Sequence, residues 1–128
     1  MGLNIGIVGA TGAVGQKILE VLLERDIPIG KIRLFASEKS EGKVINIDKY
    51  NLCVTVEKLT EEVMREKYDY LLFAGGGTIS EKYAPIAADA GNIVIDNSSF
   101  FRMKEYIPLV VPEVNAHILK GYRGIISN

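Results

Sequence analysis

A doubly wound α/β fold, with a mostly parallel sheet and one added hairpin, is predicted by three observations in this sequence. Short apolar runs of strand length alternate with stretches whose apolar residues recur every three or four positions. Two of the buried runs end in glycine-rich turns, Gly9 to Gly15 and Gly75 to Gly77, as strands of a parallel sheet do when their carboxyl edge approaches a ligand. One further pair of runs alternates apolar and polar residues around a turn, the pattern of a hairpin.

The composition fits one domain. A chain of 128 residues that is 48% hydrophobic and 24% charged can bury a core of its own. The formal net charge of −1 and the lack of a basic cluster argue against a nucleic-acid partner. No apolar run approaches membrane-spanning length, and the first strand starts too early to leave room for a signal peptide. The single cysteine excludes a disulfide framework and suits a reducing compartment. The expectation is a soluble cytoplasmic domain with neither nucleic acid nor membrane as partner.

The first element is an apolar run, Ile5 to Val8, closing in Gly9-Ala10-Thr11-Gly12-Ala13-Val14-Gly15. Each glycine has a physical task in a strand-turn-helix phosphate cradle. Gly9 allows a sharp turn, Gly12 allows backbone to approach a pyrophosphate, and Gly15 allows the helix to pack on the strand. Unpaired N–H groups at the helix start then face the anion, and the helix dipole adds partial positive charge. The spacing differs from the commoner G-x-G-x-x-G, and no Gly-Lys-Ser/Thr follows, which excludes a P-loop. A glycine-rich turn that binds nothing is the competing reading.

Helical spacing of Val14, Ile18, Val21 and Leu22 predicts an amphipathic helix over Ala13 to Arg25, ended by Asp26 and Pro28. Ile32 to Ala36 reads as the second strand, parallel to the first across a right-handed crossover. NAD sites place an acid at this strand's end, about 20 residues past the glycines. Here the stretch is Ser37-Glu38-Lys39-Ser40, whose hydroxyls and lysine favour the 2′-phosphate of NADP, while Glu38 keeps NAD open. Val44–Ile47 and Leu52–Val56 form the hairpin, with Cys53 on the face opposite Leu52, Val54 and Val56 and without a catalytic role.

Thr60 is placed to cap a short helix carrying Glu61 and Glu62 in its first turn. Asp69 to Ala74 reads as a buried strand, followed by a helix from about Ser80 to Ala90, closed by Gly91. Pro85 is expected near that helix's first turn, or at a kink. Ile93 to Ile95 is a further strand, and it delivers Asp96-Asn97-Ser98-Ser99-Phe100-Phe101-Arg102-Met103, dense in hydrogen-bonding groups. The Arg102 fork suits a carboxylate or phosphate, and a self-satisfied turn with a solvated arginine is the alternative. Leu109 to Asn115 is extended, a short helix reaches Lys120, and a last strand starts at Gly124. His117, without an acid or cysteine at motif spacing, reads as structural.

Five stretches together resemble aspartate-semialdehyde dehydrogenases, in that family's order and over essentially the whole chain. They are Gly9 to Gly15, Ser37 to Gly42, Phe73 to Thr78, Asp96 to Met103 and Val110 to Asn115. The resemblance implies a Rossmann-like NADP-binding domain over residues 1–128. It also implies NADPH reduction of aspartyl phosphate to aspartate semialdehyde, through a cysteine acyl-thioester, for lysine, methionine and threonine biosynthesis. By motif match, Gly9, Thr11, Gly12, Ala13 and Val14 would hold the pyrophosphate region. Ser37, Lys39 and Ser40 would meet the 2′-phosphate, Gly76 the nicotinamide side, and Arg102 with Asn97 the substrate phosphate. Phe100 replaces a small residue of the family pattern, and Ala74 to Gly77 is richer in glycine. The Pro-Asn-Cys segment bearing the nucleophile would begin at Asn128, so the catalytic and dimerisation domain is expected to be absent and this chain inactive alone. A homodimer or homotetramer is implied for the full-length parent. An N-acetyl-γ-glutamyl-phosphate reductase domain and a non-catalytic NADP-binding sensor are the alternatives.

Overall fold

The computed structural model describes residues 2–25, 27–97 and 125–127. In chain order it contains β1 (Leu3–Val8), α1 (Ala13–Glu24), β2 (Ile29–Ala36), β3 (Val44–Ile47), β4 (Leu52–Lys58), α2 (Glu61–Met64), β5 (Tyr70–Phe73), α3 (Gly77–Asp89), β6 (Val94–Asp96) and β7 (Ile125–Ser127). Among these residues the strands make one seven-stranded sheet in the order β3-β4-β2-β1-β5-β6-β7. Only β3 and β4 pair antiparallel, so the added hairpin forms one edge of an otherwise parallel sheet.

Burial on both faces explains why the inner strands read as unbroken apolar runs. Successive side chains point to opposite faces. Ile7, Leu34 and Val56 join Leu19 of α1 in one core cluster, while Val8, Phe35, Leu71 and Phe73 join Met64, Ala84 and Ala87 from α2 and α3 in the other. Each cluster contains fully buried members such as Leu34 and Phe73. The only polar residues buried with them among those described are Ser80, Asn92 and Asp96. Asn92 accepts from the Tyr68 N–H at 2.8 Å and donates to the Met64 and Glu66 carbonyls, closing the α2–β5 connection. Ser80 donates to the Asp96 carboxylate at 2.5 Å, tying α3 to the end of β6.

Several local expectations hold. The Thr60 hydroxyl accepts from the Val63 N–H at 3.2 Å, capping α2. Gly91 follows α3 with φ 95°. Cys53 is exposed on the hairpin, opposite Asn46. Three expectations need correction. Strand β2 starts at Ile29, not Ile32, because the edge of β1 extends the ladder to Leu3↔Ile29. Helix α3 starts at Gly77, so its first turn is built from the second glycine-rich stretch. Pro85 consequently sits inside that helix and not in its first turn, where the missing N–H would have been harmless. The Asp96–Met103 cluster beyond Asn97, the extended Leu109–Asn115 stretch, the helix to Lys120 and His117 lie outside the described residues, and so does Arg102.

Candidate functional site

Four strand ends meet on one edge of the sheet. Val8, Ala36, Phe73 and Asp96 are the last residues of β1, β2, β5 and β6, so the glycine turn, Ser37, the second glycine turn and Asn97 all leave the carboxyl edge. This is where open parallel sheets bind ligands, at the point where connections leave β1 in opposite directions.

The first turn is fixed by its neighbours on both sides. The N–H groups of Gly9 and Ala10 donate to the Phe35 carbonyl at 2.9 and 3.2 Å, and the Ala74 N–H donates to the Val8 carbonyl at 2.8 Å. Gly9 adopts φ 81°, and a Cβ there would come within 2.6 Å of the Gly75 nitrogen. The two glycine turns therefore pack backbone to backbone. Gly15 meets a comparable limit, since a Cβ would collide with the Gly9 carbonyl oxygen and lie 2.8 Å from Ala10 Cα.

Gly12 differs. Its φ of −77° suits any residue, and the nearest atom to a Cβ would be the Gly9 oxygen, at an ordinary 3.6 Å. The protein itself does not require glycine here; the backbone is bare toward open space. Gly12 is also the N-cap of α1, no side chain caps it, and no acid occupies the first turn formed by Ala13 and Val14. The helix start thus keeps its partial positive charge unneutralised. Gly76, with φ 92° and nothing near a built Cβ, caps α3 in the same exposed manner.

Beside the first turn lies a cavity of about 390 Å³. Val8, Ala36, Leu59, Ile79 and Tyr83 supply apolar wall, with Thr11, Ser37, Glu38 and Lys58 at its polar side. The Thr11 and Ser40 hydroxyls stand 3.4 Å apart, joining the loops that follow β1 and β2. Of the residues the sequence singles out at the second strand end, Ser37 lines this cavity, Ser40 reaches it through Thr11, and Lys39 is exposed on the short 3-10 turn Glu38–Ser40. Sequence reasoning does not find Lys58. It lies 21 residues beyond Ser37 in the chain, and only the β2–β4 pairing, Ala36↔Lys58, brings it alongside. A second, larger groove of about 510 Å³ runs between α1 and β6, lined by Ala13, Val14, Ile18, Leu72, Ile95 and Asn97 among others. It is mainly apolar, whereas the smaller cavity carries the groups that could recognise a charged ligand.

This geometry has counterparts. The family model for the semialdehyde dehydrogenase NAD binding domain matches residues 4–122. The chain belongs to that family. It is 48% identical over 127 residues to aspartate-semialdehyde dehydrogenase 2 of Vibrio cholerae, covering 98% of this chain and 37% of that protein. It is 46% identical over 130 residues to the aspartate-semialdehyde dehydrogenase of Aquifex aeolicus, covering all of this chain and 38% of that one. The crystal structure of the Vibrio cholerae aspartate semialdehyde dehydrogenase II complexed with ASA superposes with a TM-score of 0.90 at 46% identity, over 100% of this chain and 42% of that one. The chain thus spans under two fifths of the length of these curated relatives. As a semialdehyde dehydrogenase NAD binding domain it is a nucleotide-binding Rossmann-like unit, and the acetylglutamyl-phosphate reductase reading is not favoured. No helix among the described residues is long and apolar enough to cross a membrane.

Proposed function

We propose that this domain binds NADP for an aspartate-semialdehyde dehydrogenase, which reduces aspartyl phosphate to aspartate semialdehyde. The observation that carries the reading is the bare helix start at Gly12, without a side-chain cap, beside a cavity lined by Thr11 and Ser37. The residues fit the cofactor. Thr11, Gly12, Ala13 and Val14 offer backbone N–H groups and helix dipole to a pyrophosphate, Gly9 turns the chain beneath it, and the apolar wall accepts an adenine. Ser37, Lys39 and Ser40 bind the 2′-phosphate, and Gly76 borders the nicotinamide side. NADPH supplies the hydride. Arg102 and Asn97 bind the substrate phosphate, and the enzyme is cytoplasmic, serves lysine, methionine and threonine synthesis, and works as a homodimer or homotetramer.

Replacing Ser37 by Asp puts a negative charge where the 2′-phosphate binds. Charge-assisted hydrogen bonds contribute about 1.5–3 kcal/mol, so NADP affinity is expected to fall roughly tenfold or more. NAD affinity should hold or rise, because the new carboxylate can accept from a ribose hydroxyl. Calorimetric titration with both nucleotides checks this, and equal weakening of the two would count against the assignment.

The nucleophile is a cysteine other than Cys53. Cys53 is exposed on the hairpin, and the hairpin lies beyond β2 at the far edge of the sheet from β6. Cys53→Ser in the full-length enzyme should leave phosphate-dependent reduction of NADP by aspartate semialdehyde within about twofold of the parent, since covalent catalysis needs a thiolate at the reacting carbon. Loss of turnover in that variant, with folding intact, would place the chemistry on the hairpin instead.

A further inference from the structure

Lys58 occupies a position that the sequence motifs do not reach. It ends β4 in register with Ala36, the residue immediately before Ser37. Neighbouring strands lie about 4.8 Å apart, so a long side chain leaving this point reaches the loop after β2. Lys58 lines the same cavity as Thr11, Ser37 and Glu38, and its Nζ stands 4.0 Å from the Glu38 carboxylate. That separation is the outer limit of an ion pair, and both side chains are substantially solvated, at 46% and 80% exposure. The contact is correspondingly weak and can yield to a stronger anion.

Glu38 creates the problem that Lys58 answers. A carboxylate beside Ser37 repels a 2′-phosphate and favours a 2′-hydroxyl, which is the arrangement of an NAD site. A lysine across the cavity offsets that carboxylate and presents a mobile point charge to the phosphate. We propose that Lys58 is a specificity-determining residue for the 2′-phosphate, holding that group from the β4 side while Ser37 and Lys39 hold it from the β2 side. This rests on the proposed nucleotide-binding function. It predicts that discrimination between phosphorylated and unphosphorylated riboses follows the charge at position 58.

The test uses two ligands that differ only in the group at issue, adenosine 2′,5′-bisphosphate and adenosine 5′-phosphate, titrated calorimetrically against the 128-residue chain. Lys58→Met should weaken the bisphosphate about tenfold, the low end for a charge-assisted contact at a solvated site, and leave the monophosphate within twofold. Lys58→Arg, which keeps the charge, should restore most of the difference. Thermal melts of both variants confirm folding, and a strand-end side chain with half its surface in water should not shift them by more than a degree or two. Bisphosphate affinity unchanged in Lys58→Met, or both ligands weakened alike, overturns the proposal while nucleotide binding stands. A parent chain that binds neither ligand, nor NADP or NAD, overturns the nucleotide-site reading and this proposal with it.

Discussion

Gly15→Ala is expected to destabilise the domain by about 3 kcal/mol, although it places the best helix former inside a helix. The two effects oppose each other, and their magnitudes decide the sign. Ala over Gly in a helix interior gains about 1 kcal/mol. Against this, the new methyl would collide with the Gly9 carbonyl oxygen and press on Gly9 C at 2.9 Å and Ala10 Cα at 2.8 Å. These are backbone atoms, fixed by the hydrogen bonds from Gly9 and Ala10 to Phe35, so they cannot swing aside as a side-chain tip would. Relief requires moving α1 away from β1, which loosens the packing of Leu19 in the core cluster it shares with Ile7 and Leu34. Gly12→Ala is the matched comparison. It has ordinary clearance and φ −77°, so no collision adds to the roughly 0.5–1 kcal/mol that alanine costs at an N-cap, well below the cost of Gly15→Ala. Its effect should appear in NADP affinity, where a methyl stands between backbone and pyrophosphate. Urea unfolding and nucleotide titration of the two variants separate packing from binding. A stable Gly15→Ala protein would mean that α1 has room to shift on β1, and full affinity in Gly12→Ala would mean that the pyrophosphate does not approach this backbone.

Arg33→Met should cost about 2–3 kcal/mol, through loss of an ionic network on the face of the sheet away from α1. The Arg33 guanidinium donates to both Glu57 oxygens at 2.9 and 2.7 Å, to Glu66 at 2.9 Å and to the Tyr68 hydroxyl at 3.2 Å. It also lies 5.2 Å from the Phe35 ring centroid and 5.7 Å from that of Tyr68. Removing one member of a buried pair costs about 3–5 kcal/mol. Glu57 keeps 38% exposure and can be hydrated, so the expected value falls below that range. The pair has a pH signature. The hydrogen bond from Arg33 holds the Glu57 carboxyl below the ordinary carboxylate range, against the opposing effect of burial. A depressed acid contributes stability that is present above its unfolded pKa and is lost as pH falls through the folded value. Tyr68 behaves oppositely. Burial pushes its hydroxyl from 10.0 to about 12, so the stability it contributes is present below pH 10.0 and lost as pH rises through about 12. The acid limb of a stability-versus-pH curve should flatten in Arg33→Met, and Arg33→Lys should recover less than half the loss because it lacks the fork. A change under about 0.5 kcal/mol at neutral pH would mean that solvent replaces the network at almost no cost.

The features legible in the chain alone are local in origin. Periodicity of two or of three to four marks which residues of a segment share a face, and burial on both faces leaves unbroken apolar runs, so β1, α1, the hairpin and β5 could be read from the chain. The glycine turn could be read as well, because Gly15 meets the Gly9 and Ala10 backbone within seven residues and Gly9 turns at φ 81°, although the close approach of Gly75 to Gly9 is a tertiary contact. The Thr60 cap and the exposed face of Cys53 follow from the same short-range rules. Whatever depends on which strand lies beside which emerges only from the fold. Periodicity carries no information on strand order, so Lys58 could not be assigned to the Ser37 cavity until β4 paired with β2. The same pairing brings Glu57 to Arg33, and the segment between α2 and β5 adds Glu66 and Tyr68 to the network. The early start of α3 is also a tertiary outcome. Gly75 must press against Gly9 where β1 and β5 pair, and the chain enters the helix directly from that contact, which leaves Pro85 in the helix interior.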